Sequence, residues 1–192
     1  GGGVPQFQNC DLYVDYVYLD ADERRRMVQN QHEVLIPQLQ YTTKHITASQ
    51  TNAKIPIQFN HPVKELIWVF QRDSVLSNNG EAYNKDLFNF SNDKNDYQDH
   101  FEKCNIILDG NERFEERDPL YFKYIQPYQH HTRIPRKNIY VYSFALKPEE
   151  YQPSGSCNFS KLTNVQINFK LSDPPGKHST QPQPTDNTNV IE

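Results

Sequence analysis

Apolar and polar positions alternate along much of this chain. From Val165 to Leu171, Val165, Ile167, Phe169 and Leu171 alternate strictly with Gln166, Asn168 and Lys170. That period of two predicts a strand with one buried and one wet face. Upstream, Tyr140, Tyr142, Phe144 and Leu146 alternate with Val141, Ser143 and Ala145. Val63–Gln71 sets Leu66, Trp68 and Phe70 on one face against Ile67 and Val69 on the other, which predicts Trp68 in the core. Cys10–Leu19 is aromatic and β-branched on both faces, so both faces call for cover. The pattern predicts seven strands, at 10–19, 32–42, 54–59, 63–71, 102–109, 139–146 and 159–171.

Turn chemistry separates these segments. Pro148, Pro153 and Gly155 break the ladder between the last two strands, Asn60-His61-Pro62 is a turn signal, and Asp109-Gly110-Asn111 closes a strand. Pro37 places its strand at an edge or a bulge. Two short helical pieces are predicted. In one, Asp20 caps the first free amides ahead of Glu23; in the other, Pro119 opens a turn that runs to Ile125. Arg24, Arg25 and Arg26 suit the C-terminal end of the first helix, and read as a dipole-matched, solvated turn rather than an anion contact. Residues 72–100 form a long polar excursion, with a small helix or irregular strand near Asp86–Phe90. Residues 1–8 read as an entry loop and 172–189 as a Pro-rich loop or tail. Helices long enough for βαβ units are missing, so the fold class is all-β: an antiparallel Greek-key or jelly-roll sandwich, as one domain over 1–192.

Composition sharpens this in a few places. The 192 residues include twelve Tyr and eleven Phe, a balance that favours strands. The net charge is −4 with both signs interspersed, and no basic block is present to grip nucleic acid. Three cysteines (Cys10, Cys104, Cys157) argue against a disulfide framework and for a reducing compartment. No apolar run is long enough to span a bilayer as a helix.

Candidate chemistry is sparse. His130 and His131 are adjacent, so on a strand they would face opposite sides, and no H-x-H pair exists for a cupin-type metal site. Glu115/Glu116 and Glu149/Glu150 are neighbours in loops, not carboxylates facing each other across a cleft. Cys104 alternates with Ile106 and Leu108 and reads as core. Neither a nucleophile elbow nor a phosphate-binding loop is found. The reading is therefore no catalytic, cofactor-binding or metal-binding residues, no cofactor and no enzyme. Asn89 and Asn158 match the glycosylation sequon, but the cysteine usage argues against modification at either.

Three stretches carry a resemblance: V-D-Y-V-Y-L-D-A-D-E-R-R-R at 14–26 followed by H-E-V-L-I-P-Q-L-Q at 32–40, F-N-H-P-V-K-E-L-I-W-V-F at 59–70, and Y-S-F-A-L-K-P-E-E-Y-Q-P-S-G-S-C-N-F-S at 142–160. Together they resemble the major capsid protein of large eukaryotic double-stranded DNA viruses. The resemblance implies two successive eight-stranded jelly rolls per chain, with these residues as the second. It also implies a homotrimer of pseudo-hexagonal outline that tiles an icosahedral shell. Partners would be neighbouring capsomers and minor capsid or penton proteins, with no direct nucleic-acid contact and no transmembrane segment. The location implied is the virion capsid, assembled in the host cytoplasm. Asn60, His61, Pro62, Trp68, Pro153, Ser154, Gly155, Asn158 and Phe159 become motif residues with structural roles. The long insertions 72–100 and 111–138 would make intersubunit and outward contacts. The family's last strand would lie mostly beyond residue 192, with Val190-Ile191 at its start, leaving a gap or an open edge in the sheet. The alternative reading is a carbohydrate-binding, lectin-like jelly roll, which needs its aromatics, Trp68 above all, on an open face.

Overall fold

Thr43–Ile46 (β1) and Asn52–Ile57 (β2) open a computed structural model that describes residues 9–47, 49–73, 88–92, 98–172 and 188–191. Its other strands are Pro62–Val63 (β3), Glu65–Arg72 (β4), Phe101–Leu108 (β5), Asn111–Glu112 (β6), Tyr140–Ser143 (β7), Cys157–Asn158 (β8), Val165–Leu171 (β9) and Thr188–Ile191 (β10). By internal contacts the chain divides into residues 1–38 and 39–192.

In the first unit, Ala21–Gln29 forms helix α1, and the Asp20 carboxylate accepts from the Glu23 amide at 2.8 Å, as the capping pattern predicts. Arg25 reaches Asp22 at 3.5 Å, and every residue of the helix is exposed. The strands predicted at 10–19 and 32–42 do not form: the described residues there carry no strand pairing up to Thr42. Leu12 is 88% exposed, Tyr18 92% and Val34 77%. Alternation states what a segment needs from a sheet, and no described part of the chain pairs with these two.

The second unit is a two-layer sandwich. One sheet has the order β1-β10-β4-β7 and the other β2-β9-β5-β6, with a separate β3-β8 pair; all pairings are antiparallel. Apart from the β5–β6 hairpin, each step along these eight strands switches sheets, which is jelly-roll topology. The expected gap is corrected: β10 fills it, pairing Thr188–Ile191 with β1 on one side and β4 on the other. The Pro-rich segment lies largely outside the described residues, and its last two positions, Thr188 and Asn189, belong to β10. Residues 86–87 of the predicted small element also lie outside them. The segment 139–146 is a strand only through Ser143, because the Phe144 and Ala145 amides both turn to the Lys64 carbonyl. The segment 159–171 starts as a 3₁₀ turn, Phe159–Lys161, before β9.

The core lies between the sheets and is aromatic. Phe70 meets Phe169 with centroids 5.2 Å apart, Phe101 meets Tyr140 at 4.9 Å, and Trp68 meets Phe122 at 5.2 Å. Trp68 is 1% exposed, on the face the alternation assigns it. Burying each such ring contributes roughly 1.5–3 kcal/mol, with about 0.5–1.5 kcal/mol more for favourable ring pairs.

Candidate assembly surface

The registers sort the connections to two ends. Glu65, Ser143 and Leu108 lie toward one end, called near here, and Arg72, Phe101 and Leu171 toward the other, called far. The β4–β5 and β9–β10 connections leave from the far end. The β2–β4 and β7–β9 connections lie at the near end.

Two of the sequence motifs meet at the near end. His61 takes a left-handed backbone (φ 70°), which its turn position requires. Its amide donates to Ser160 Oγ at 2.7 Å, and the Phe159 amide donates to its carbonyl at 3.1 Å. Pro62 pairs with Asn158 and Val63 with Cys157. The Asn158 side chain accepts from the Ser160 amide at 3.1 Å, so this sequon asparagine caps a turn. Asn60 is held by both ends of the Gln40 amide, at 2.7 and 2.9 Å. Pro153-Ser154-Gly155 belongs to the same end: Ser154 Oγ accepts from the Lys147 amide at 2.8 Å. Gly155 sits at φ 130°, where a side chain would come within 3.1 Å of the Phe144 carbonyl oxygen. Trp68 stands apart from this seam, in the core. Asn89 accepts from the Ser91 amide at 3.0 Å, in the excursion between β4 and β5.

The side of the sandwich formed by β6 and β7 is closed by a helix. The chain is helical from Pro119, through a π-turn at Tyr121–Ile125, to α2 at Gln126–His130. The predicted Pro119 turn therefore forms and continues for a further turn. Phe122 points into the core. Gln126 accepts from the Ser143 amide at 3.0 Å and donates to the Tyr121 hydroxyl at 2.9 Å, satisfying a group on edge strand β7. His131 bonds Glu65 at 2.7 Å, while His130 reaches the Leu146 carbonyl at 2.9 Å, so the two histidines diverge. Outward, the helix presents Leu120, Tyr124 and Tyr128, which are 53%, 44% and 78% exposed. Spacing of four places them on one face.

Beneath the far end lies a buried polar cluster. Asp99 accepts from the Tyr140 hydroxyl at 2.6 Å and pairs with Lys123 Nζ at 3.3 Å. Burial first, and the Asp99 charge second, push the Tyr140 phenol far above its ordinary range. His100 stacks on Phe70 at 5.1 Å, and neither ring nitrogen has a partner among the described residues. Burial, reinforced by the Arg72 charge, holds its imidazole down to about 3. These groups hold the loops to the core. Sequence reasoning placed Tyr140 on a strand but missed the cluster, because Asp99 and His100 lie in a polar stretch with no periodicity and Lys123 comes from a separate helix. Among the described residues no three His, Cys, Asp or Glu side chains gather as metal ligands, and no helix is long and apolar enough to cross a membrane.

Residues 23–191 match the family described as large eukaryotic DNA virus major capsid protein. The chain belongs to that family. Among its relatives, a major capsid protein of Pyramimonas orientalis virus is 40% identical over 90% of this chain and 44% of its own length. One from Paramecium bursaria Chlorella virus 1 is 34% identical over 82% of this chain and 41% of its own length. The solved PBCV-1 virus capsid contains a chain that superposes with TM-score 0.69 at 30% identity, over 91% of this chain and 50% of that one. The Faustovirus major capsid protein, 14% identical with TM-score 0.61 over 79% of this chain and 31% of that one, shares the fold. This member of the capsid family thus spans about half the length of the relatives it matches.

Proposed function

We propose that this chain is a structural capsid subunit, working as the second of two jelly rolls in a protein that trimerises into a pseudo-hexagonal capsomer of an icosahedral virion. The observation that carries the reading is the ordered eight-strand jelly roll together with 40% identity to a viral major capsid protein. In a shell protein the work is done by burial at interfaces, not by a reactive group. The distribution of apolar surface supports this. Residues 10–19 are apolar on both faces and largely exposed, as expected of a strand that belongs to the sheet of a preceding jelly roll. The insertion 111–138 carries the exposed helix stripe, as an intersubunit segment would. Enzymatic activity, a cofactor and direct nucleic-acid contact have no part in the proposal. Neighbouring capsomers and minor capsid or penton proteins are the partners, and virions assembled in the host cytoplasm are the location. The lectin-like reading loses its main platform, because Trp68 is buried.

Light scattering and electron microscopy on the protein test this. The proposal expects a stable trimer with a six-sided outline. A strictly monomeric protein with affinity for sugars would overturn it.

A further inference from the structure

The two sides of the sandwich are finished differently. On the β6/β7 side the helix covers the edge and turns Leu120, Tyr124 and Tyr128 outward. On the opposite side, β1 and β2 end their sheets with no strand beyond them among the described residues. There, residues 39–44 and the β2 flank enclose a recess of about 610 Å³, lined by Leu39, Tyr41, Ile55, Pro56 and Phe59 among others. That size falls in the range that encloses small ligand groups. Gln40, Thr42, Thr43, Lys44 and Gln58 line it too, so the recess is mixed in character, with Leu39 and Tyr41 as large, exposed apolar groups at its rim.

The two features also lie at the same height along the strands. Thr43 is level with Ile191, and Ile191 with Val69, so residues 39–42 run on toward the level of Glu65. His131, just past the end of the helix, is tied to Glu65. A projecting stripe of one leucine and two tyrosines on one side, and a recess rimmed by Leu39 and Tyr41 level with it on the other, form a heterologous pair; the tyrosine hydroxyls suit the polar groups of the recess. Such a pair joins identical subunits head to tail, and closes into a ring when the rotation allows.

We propose that the Leu120–Tyr124–Tyr128 stripe docks into the β1/β2-edge recess of a second copy of this chain. The contact covers the open edge strand of the second copy in the way the helix covers β7 in its own. This inference rests on the capsomer reading and deepens it by assigning the lateral contact to named residues.

The test compares self-association of the wild-type chain with two variants, Tyr124→Asp/Tyr128→Asp on the helix and Leu39→Asp/Tyr41→Asp in the recess, by analytical ultracentrifugation over a concentration series. All four side chains are exposed, so circular dichroism melts should stay close to wild type. Each variant is expected to weaken association roughly tenfold or more, as loss of an interface anchor does. In a Cys10→Ser background, which removes the exposed native thiol, Tyr128→Cys chains mixed with Tyr41→Cys chains and oxidised by a copper catalyst in air should form a mixed disulfide between copies. Association untouched by either variant would overturn this inference while leaving the trimer reading in place. Tyr128→Cys chains that link only to one another would overturn it in favour of a two-fold contact. A wild-type chain that stays monomeric across the series would contradict both readings.

Discussion

Residues 10–19 and β4 make the same demand and meet opposite fates. Leu12, Val14, Tyr16 and Tyr18 alternate as cleanly as Leu66, Trp68 and Phe70, yet the first set is exposed and the second is buried. The difference is not in the segments. β4 has β10 on one flank, β7 on the other and β5 and β9 across the core, whereas residues 10–19 have no sheet among the described residues. An apolar alternating segment is a request for partners, and residues 10–19 find none among the described residues.

The comparison breaks most readily at Trp68. Trp68→Ala should cost the sandwich roughly 3–5 kcal/mol in urea unfolding, while Tyr16→Ala should stay within about 0.5 kcal/mol. Equal losses at the two sites would mean that residues 10–19 are packed after all.

Next in size is the buried pair. Asp99→Asn leaves Lys123, whose side chain is 5% exposed, without its counter-charge, and should destabilise by about 3 kcal/mol. Lys123→Met with Asp99→Asn should recover much of that loss, and a double mutant no more stable than Asp99→Asn would remove the charge explanation.

His100, within the sandwich, supplies a pH dependence. Above about 6.5 the imidazole is neutral in both folded and unfolded chains. Below it the unfolded chain takes up a proton that the folded chain refuses until about 3. Stability is therefore fully present above pH 6.5 and falls as pH drops, by about 2 kcal/mol at pH 5. His100→Phe, which keeps the stack on Phe70, should flatten that part of the profile. An unchanged slope would assign it to other groups.

A smaller effect is expected at the near end. Gly155→Ala forces a side chain into a positive-φ position close to the Phe144 carbonyl, and should cost about 1–2 kcal/mol with no loss of fold by circular dichroism.

What could be read in the sequence follows from how each strand earns its place. β4 and β9 are long and alternate without interruption, and β5 keeps Cys104, Ile106 and Leu108 in step beyond a register shift at Phe101/Lys103, so their positions are legible. β1 (T-K-H-I) and β6 (N-E) are not: they are short and mostly polar, and neighbouring strands, not their own pattern, hold them, while of β10 (T-N-V-I) only Val190-Ile191 could be picked out. The same limit explains the gap expected in the sheet, since four residues suffice for β10 to pair on both sides. At the near end the motif residues could be picked out, but not the bond from His61 to Ser160, which spans 99 positions. The helix was legible as the turn from Pro119 to Ile125, but not in its continuation through Gln126–His130. Its outward stripe shows once the inward face is known from Phe122 and Gln126.

Hydrogen–deuterium exchange, read by mass spectrometry on dilute and on assembled protein, tests the central claim most directly. In dilute protein the amides of β5 and β9 should be strongly protected and those of residues 10–19 should exchange rapidly. On assembly, the helix around Tyr124 and Tyr128 and the β1 edge should gain protection while β5 and β9 stay as they are. Protection of residues 10–19 equal to that of β9 in dilute protein, or no gain on assembly, would contradict the account.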